Sequence, residues 1–293
     1  MNAVNGALNA LFDLLLTPLE WAGDATALIV VSGVFGVLAL LVFKQISWQA
    51  GIKLAKDKIK GHMIAIRLYQ DDLAVVLKSV LNVLVRNVQY LGLNFGPFIP
   101  LALPFVFVSA QFVVRYAYAP LPLIAPDAEV MSGRGVMLEI ELAEGRGEQI
   151  RDLKVTLPAG LRAVSPLVRA PRQGRAFQEF VASAPGEHEI VLELGGVRET
   201  KLVVAGDTAP RAMQPRRVSS ADWLSISDPN RWPALWPAEP AFASDSPFRV
   251  VAIAYPYRDQ GWLPDGEFGI LLTFVLASML FGVVALKPLG VQI

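Results

Sequence analysis

The chain has no cysteine and only two histidines, His62 and His188, far apart in sequence. Without thiols there are no disulfides, thiolate metal sites or cysteine nucleophiles, and neither side of a membrane is excluded as an environment. Two distant imidazoles do not readily build a zinc site or a Ser-His-Asp triad, so most hydrolase chemistry is disfavoured. Charge is scarce as well: 18% of the residues are charged and 54% hydrophobic, and 26 basic side chains balance 26 acidic ones. This balance lacks the basic excess of nucleic-acid binders, so no sequence-specific nucleic acid is expected as a partner, and the composition is not that of an acidic disordered chain. There is no Gly-rich phosphate loop, paired-carboxylate motif or calcium loop. No enzyme activity, cofactor or metal is expected.

What the chain does have is long apolar runs, and its 293 residues at a mean hydropathy of +0.45 read as a membrane protein. Ala25 to Phe43 is an uncharged run of 19 residues, about 28 Å of helix, which matches the hydrocarbon core of a bilayer. A second uncharged stretch lies between Arg86 and Arg115, where Pro97, Pro100 and Pro104 predict a kinked span. The third, Phe268 to Leu286, again has 19 residues, bounded by Glu267 and Lys287.

Orientation follows from short-flank charge. The first 24 residues carry no Lys or Arg, whereas eight basic residues against three aspartates separate the first two spans. That loop is expected in the cytoplasm, with the N-terminus and the long segment from about Tyr116 to Glu267 outside. Trp21, Trp48 and Trp262 fall at span ends, where an aromatic belt places them as interface anchors. The first residues have no basic n-region, so they do not read as a cleaved signal peptide. Leu8, Leu11, Phe12, Leu15, Leu16 and Leu19 recur at helical spacing beside Asn9, Asp13 and Glu20; this fits a helix in the outer interface or one packed on the spans.

The cytoplasmic loop has helical periodicity in two arms, with Asp72 placed to cap the second. Lys53, Lys56 and Lys60 share a face of the first arm, either as a solvated face near anionic headgroups or as a contact surface. Outside, Val136–Leu142, Asp152–Leu157, Ala176–Val181, His188–Leu194 and Glu199–Val204 alternate like strands, punctuated by turn residues, and predict a small β-sandwich. His188, between Glu187 and Glu189, reads as a surface strand residue rather than a metal ligand. From Thr208 the chain becomes rich in Pro and Trp, an irregular linker whose tryptophans rest on the membrane, on the sandwich or on a partner, followed by one strand from Phe248.

The fold class is therefore an α-helical membrane protein, with three transmembrane helices and a cytoplasmic helical hairpin, plus an extracytoplasmic β-sandwich. Its order is an outer amphipathic helix (1–24), a first span (25–44), a basic hairpin (45–90), a second span (91–115), the sandwich (116–207), the outer linker (208–266), a third span (267–287) and a cytoplasmic tail (288–293).

An outside N-terminus, a first span, a basic cytoplasmic hairpin, a proline-containing second span and a further span resemble the plan of the YidC/Oxa/Alb insertase superfamily. The likeness is greatest to its three-span branch, which includes the third subunit of the endoplasmic reticulum membrane protein complex and archaeal DUF106 proteins. It covers about residues 20–125 and 266–293, and Asn94-Phe-Gly-Pro-Phe-Ile-Pro-Leu-Ala-Leu-Pro-Phe-Val-Phe107 is similar to the family's Asn/Gly/Pro-rich entry after the hairpin. Where members commonly carry a glutamine between two prolines, this chain has Ala102 and Leu103.

The resemblance implies a membrane protein insertase or chaperone in the bacterial inner membrane, easing polar segments into lipid through a hydrophilic groove. Bacterial members place a basic residue inside the first core span; here Lys44, at its cytoplasmic end, is the nearest candidate. Asn94, Ser109 and Gln111 in the second span, and Thr273 and Ser278 in the third, would add hydrogen-bonding groups, or would serve as helix–helix contacts. Lys53, Lys56, Lys60 and Arg67 would meet substrate or ribosome. The implied partners are the lipid bilayer, nascent or newly made membrane proteins, the ribosome, and a membrane or envelope partner of the outer β domain. The alternative is a non-catalytic accessory or anchoring subunit of a transporter or envelope complex.

Overall fold

A computed structural model describes residues 2–125, 127–207, 212–223, 225 and 227–291. The helices are α1 (Asn2–Glu20), α2 (Asp24–Ile46), α3 (Gln49–Leu68), α4 (Leu73–Phe95), α5 (Phe98–Tyr116) and α6 (Gly266–Leu289). Among the described residues, three stretches are long and apolar enough to cross a membrane: Asp24–Ile46, Leu73–Tyr116 and Gly266–Leu289. The chain divides into two compact units, one made of Met1–Ala27 and Val106–Leu272 and the other of Leu28–Phe105 and Thr273–Ile293.

The helical unit holds most of α2 and α6, all of α3 and α4, and the start of α5. α2 and α6 cross closely because Gly36 has no side chain: a Cβ there would lie 2.1 Å from the Ser278 carbonyl oxygen. Phe35, Phe105 and Phe274 cluster beside this crossing, with Phe105 and Phe274 stacked at 4.9 Å between ring centroids. α3 and α4 form the expected hairpin. Asp72 caps α4 by accepting hydrogen bonds from the Ala74 and Val75 amides. The second apolar stretch is longer than the expected 91–115, since α4 is itself apolar; the helix breaks only at Gly96-Pro97, where proline has no N–H to continue the ladder.

The other unit holds β1 (Val136–Leu142), β2 (Lys154–Thr156), β3 (Leu161–Ala163), β4 (Val168–Ala170), β5 (Arg175–Ala182), β6 (Gly186–Leu194), β7 (Val197–Ala205), β8 (Arg216–Val218) and β9 (Phe248–Ile253). They form two antiparallel sheets, one ordered β3-β5-β1-β9-β8 with β4 also on β5, the other β2-β6-β7. Alternation in β1 buries Leu138, Ile140 and Leu142. The β6–β7 hairpin turns at Gly195-Gly196, both at positive φ, as a two-residue turn of type I′ requires. The segment after α5 bridges to both sheets, at Leu121 with Ala205 and at Leu123 with Ala182.

The segment expected as an outer linker is part of the larger sheet: it supplies β8 as well as β9, and β9 pairs with β1 over a long sequence separation. The expected boundary near residue 208 falls outside the described residues.

The N-terminal helix departs from a simple interfacial reading. Its polar residues face the protein: Asn5 and Asn9 donate to the carbonyls of Pro233 and Pro237 at 3.1 and 2.8 Å. Phe12 meets Phe112 of α5 edge-on, and Leu11, Leu14 and Leu15 are exposed. The polar stripe is drawn inward because a proline-rich run leaves carbonyls without ladder partners, and buried carbonyls demand donors.

Candidate functional site

In the helical unit, α2, α5 and α6 border a half-open cavity of about 540 Å³. Small side chains at Ala39, Ala102 and Gly282 leave room along its lining, and its other walls are mostly Phe, Leu and Val. The one hydroxyl in its lining, Ser278, donates to the Val275 carbonyl of its own helix.

Of the expected groove residues, Ser278 lines this cavity, whereas Lys44, Asn94, Ser109 and Gln111 do not. Lys44 reaches the Leu289 carbonyl at the end of α6, 2.6 Å away. Asn94 is buried near the end of α4 and donates to Tyr90, while its Oδ1 has no partner among the described residues. Ser109 and Gln111 belong to the other unit, where Ser109 donates to the Val106 carbonyl and Gln111 to the Asn9 side chain. Lys44 is thus engaged with the end of α6, Asn94 and Ser109 with carbonyls of their own helices, and Gln111 with α1, while the cavity of the helical unit is lined mostly by apolar side chains.

The hairpin residues are different. Lys53, Lys56, Lys60 and Arg67 are all exposed on α3, with the Lys56 ammonium 6.0 Å from the centre of the Tyr90 ring. On α4, Leu73, Leu77, Leu81, Leu84 and Val88 recur at helical spacing and are also exposed, Leu73 at 80% and Val88 at 71%. A stripe of this length without a covering element is uncommon on a protein surface facing water and marks a contact with lipid or another chain. The three tryptophans at span ends, Trp21, Trp48 and Trp262, are exposed too.

One group in the other unit has no counterpart in the sequence reading, which uses Arg115 only to end a span. Arg115 is 4% exposed, pairs with Asp13 at 2.7 Å and also bonds Gln111 and the Asn9 carbonyl. The available signal is a lone arginine closing a long apolar run, together with Asn2, Asn5, Asn9 and Asp13 at helical spacing in α1. A second buried charge, Lys201 of β7, bonds the Glu239 carboxylate and the carbonyls of Leu202 and Gln214. Burial pushes its pKa down, opposed by Glu239. This pair fastens the Pro/Trp run to the smaller sheet. Trp236 is in the core with Val114 and Val218, and its indole N–H donates to Asn230; Trp223 stays exposed.

His188 lies half-buried against Gly160, with Nε2 2.8 Å from the Ala184 carbonyl. No cluster of His, Asp or Glu able to hold a metal occurs among the described residues. No protein-family model matches the sequence, and a comparison with curated proteins gives no match.

Proposed function

We propose that this chain is a membrane protein insertase or membrane chaperone of Oxa type, a member of the three-span branch of the YidC/Oxa/Alb superfamily. It would lie in a bacterial inner membrane, with its hairpin in the cytoplasm and its two sheets, as a β-sandwich, outside. The observation that carries this reading is the hairpin, whose basic face on α3 accompanies an uncovered apolar stripe on α4. Such a surface suits a newly made membrane segment with its flanking charges. Each Leu or Val buried against a client contributes about 1.5–3 kcal/mol at full burial, so a few such contacts hold a segment before it partitions into lipid. The stripe adds apolar shelter for a client to the hydrophilic groove that the resemblance implies.

The apolar lining of the cavity favours a second reading, an accessory subunit whose spans anchor the β region beside a resident partner. Photocrosslinking in cells separates the two, with probes replacing Leu77, Leu81 and Lys56 in turn. Short-lived nascent membrane proteins in the adducts are expected for the insertase. One stable adduct to a single resident protein at all three positions establishes the accessory subunit instead. Reversal of charge at Lys53, Lys56 and Lys60 together is expected to slow insertion of the crosslinked clients.

A further inference from the structure

The cavity between α2, α5 and α6 lies in one half of the helices. Its lining runs from Phe35 to Phe43 on α2 and from Val275 to Leu286 on α6, about 12 and 16 Å of helix rise. That is the depth of one leaflet, half of a hydrocarbon core of roughly 30 Å. In both helices it is the half that ends in lysine: Lys44 follows Phe43, and Lys287 follows Leu286.

The space is a groove open along one side rather than an enclosed void, so it is reached from outside the helices. Within a bilayer core such a groove meets lipid tails and not water, which would find no free polar partner there because the single hydroxyl in the lining is bonded within α6. The occupant is apolar. At about 540 Å³ the space falls among pockets that hold small ligands, far beyond a cavity left by one truncated side chain.

The polar end has its own chemistry. Lys44 spends one of its three donors on the Leu289 carbonyl, and Lys287 is exposed on the same terminal turns of α6. No acidic residue occurs between Asp24 and Asp57, nor after Glu267, so the side-chain charges of these segments at this end are cationic.

We propose that the cavity is a phospholipid site, taking one acyl chain against Ala39, Ala102 and Met279 while Lys44 and Lys287 hold the phosphate of an anionic headgroup. The site does not depend on any handling of client proteins.

The test uses the purified full chain without clients, exchanged with phosphatidylglycerol or phosphatidylcholine vesicles and analysed by native mass spectrometry. One retained phospholipid per chain is expected, with phosphatidylglycerol preferred by roughly fivefold for each lysine engaged. Lys44→Gln with Lys287→Gln is expected to abolish the preference and Ala102→Phe to abolish retention. Absence of a retained phospholipid, equal retention in Ala102→Phe, or a preference unchanged by the lysine substitutions overturns the proposal. Should Ala102→Phe fail to fold, a phospholipid with a photoactivatable acyl chain is used on the unaltered protein. Adducts at Ala39, Ala102 or Met279 are expected, whereas adducts confined to the outward Val34, Leu38 and Val284 overturn the assignment.

Discussion

Glu179 on β5 places a carboxylate against the backbone amides of Gly133 and Gly135 and the Ser132 hydroxyl. These donors, the Gly133 amide first, hold its pKa below the ordinary value of 4.5, against the opposing effect of burial. A carboxyl with a lowered folded pKa binds fewer protons folded than unfolded, so its stabilisation is full above the ordinary value and fades as pH falls through the folded one. Glu179→Gln is therefore expected to lower the thermal midpoint at pH 7, with the gap to the parent closing below about pH 4. Midpoints measured across that range check this, and a gap independent of pH would exclude the carboxylate as its source. Arg115 is buried and ion-paired. Replacing it with Met leaves Asp13 without its cation in a partly buried setting, and a loss of about 2–4 kcal/mol is expected. Asp13→Leu added to Arg115→Met is expected to restore part of it, since two apolar groups leave no orphan charge; thermal unfolding in detergent measures both.

Among the elements, α2 and α6 depend on one glycine more than on its neighbour. A Cβ at Gly36 meets the Ser278 backbone carbonyl at 2.1 Å, whereas one at Gly33 meets the ring of Phe281, a side chain exposed enough to turn away. Gly36→Ala is expected to destabilise by about 1–3 kcal/mol and Gly33→Ala by much less. Equal losses would mean that the two helices do not cross at Gly36. The hairpin is held by the Asp72 cap and by small or apolar residues of α3, Gly51, Ile52 and Ala55, which are buried. Its outward leucines are mostly exposed, which is why the proposed client-binding role falls on them and not on the residues that close the hairpin.

For the whole molecule, the absence of cysteine makes topology directly measurable. With a single cysteine at Arg198, in the exposed β6–β7 turn region, an impermeant maleimide is expected to label intact spheroplasts. With one at Gln70, in the hairpin turn, labelling is expected only after permeabilisation, and the reverse pattern would overturn the proposed orientation. The apolar stretches around α2, α5 and α6 were legible from composition, because the cost of leaving or entering lipid is summed over a local run and needs no knowledge of neighbours. The longer strands β1, β5, β6, β7 and β9 were legible for a related reason: alternation over six or more residues reports a face that is buried. β3, β4 and β8, three residues each, were not, since their pairing is decided by the strand they meet. Tertiary structure alone decided that the polar stripe of α1 turns inward, that Arg115 finds Asp13 across about a hundred residues, and that the space between the helices is apolar. Hydropathy ranks a residue by its own transfer energy, whereas hydrogen bonds and cavities belong to groups that only the fold brings together.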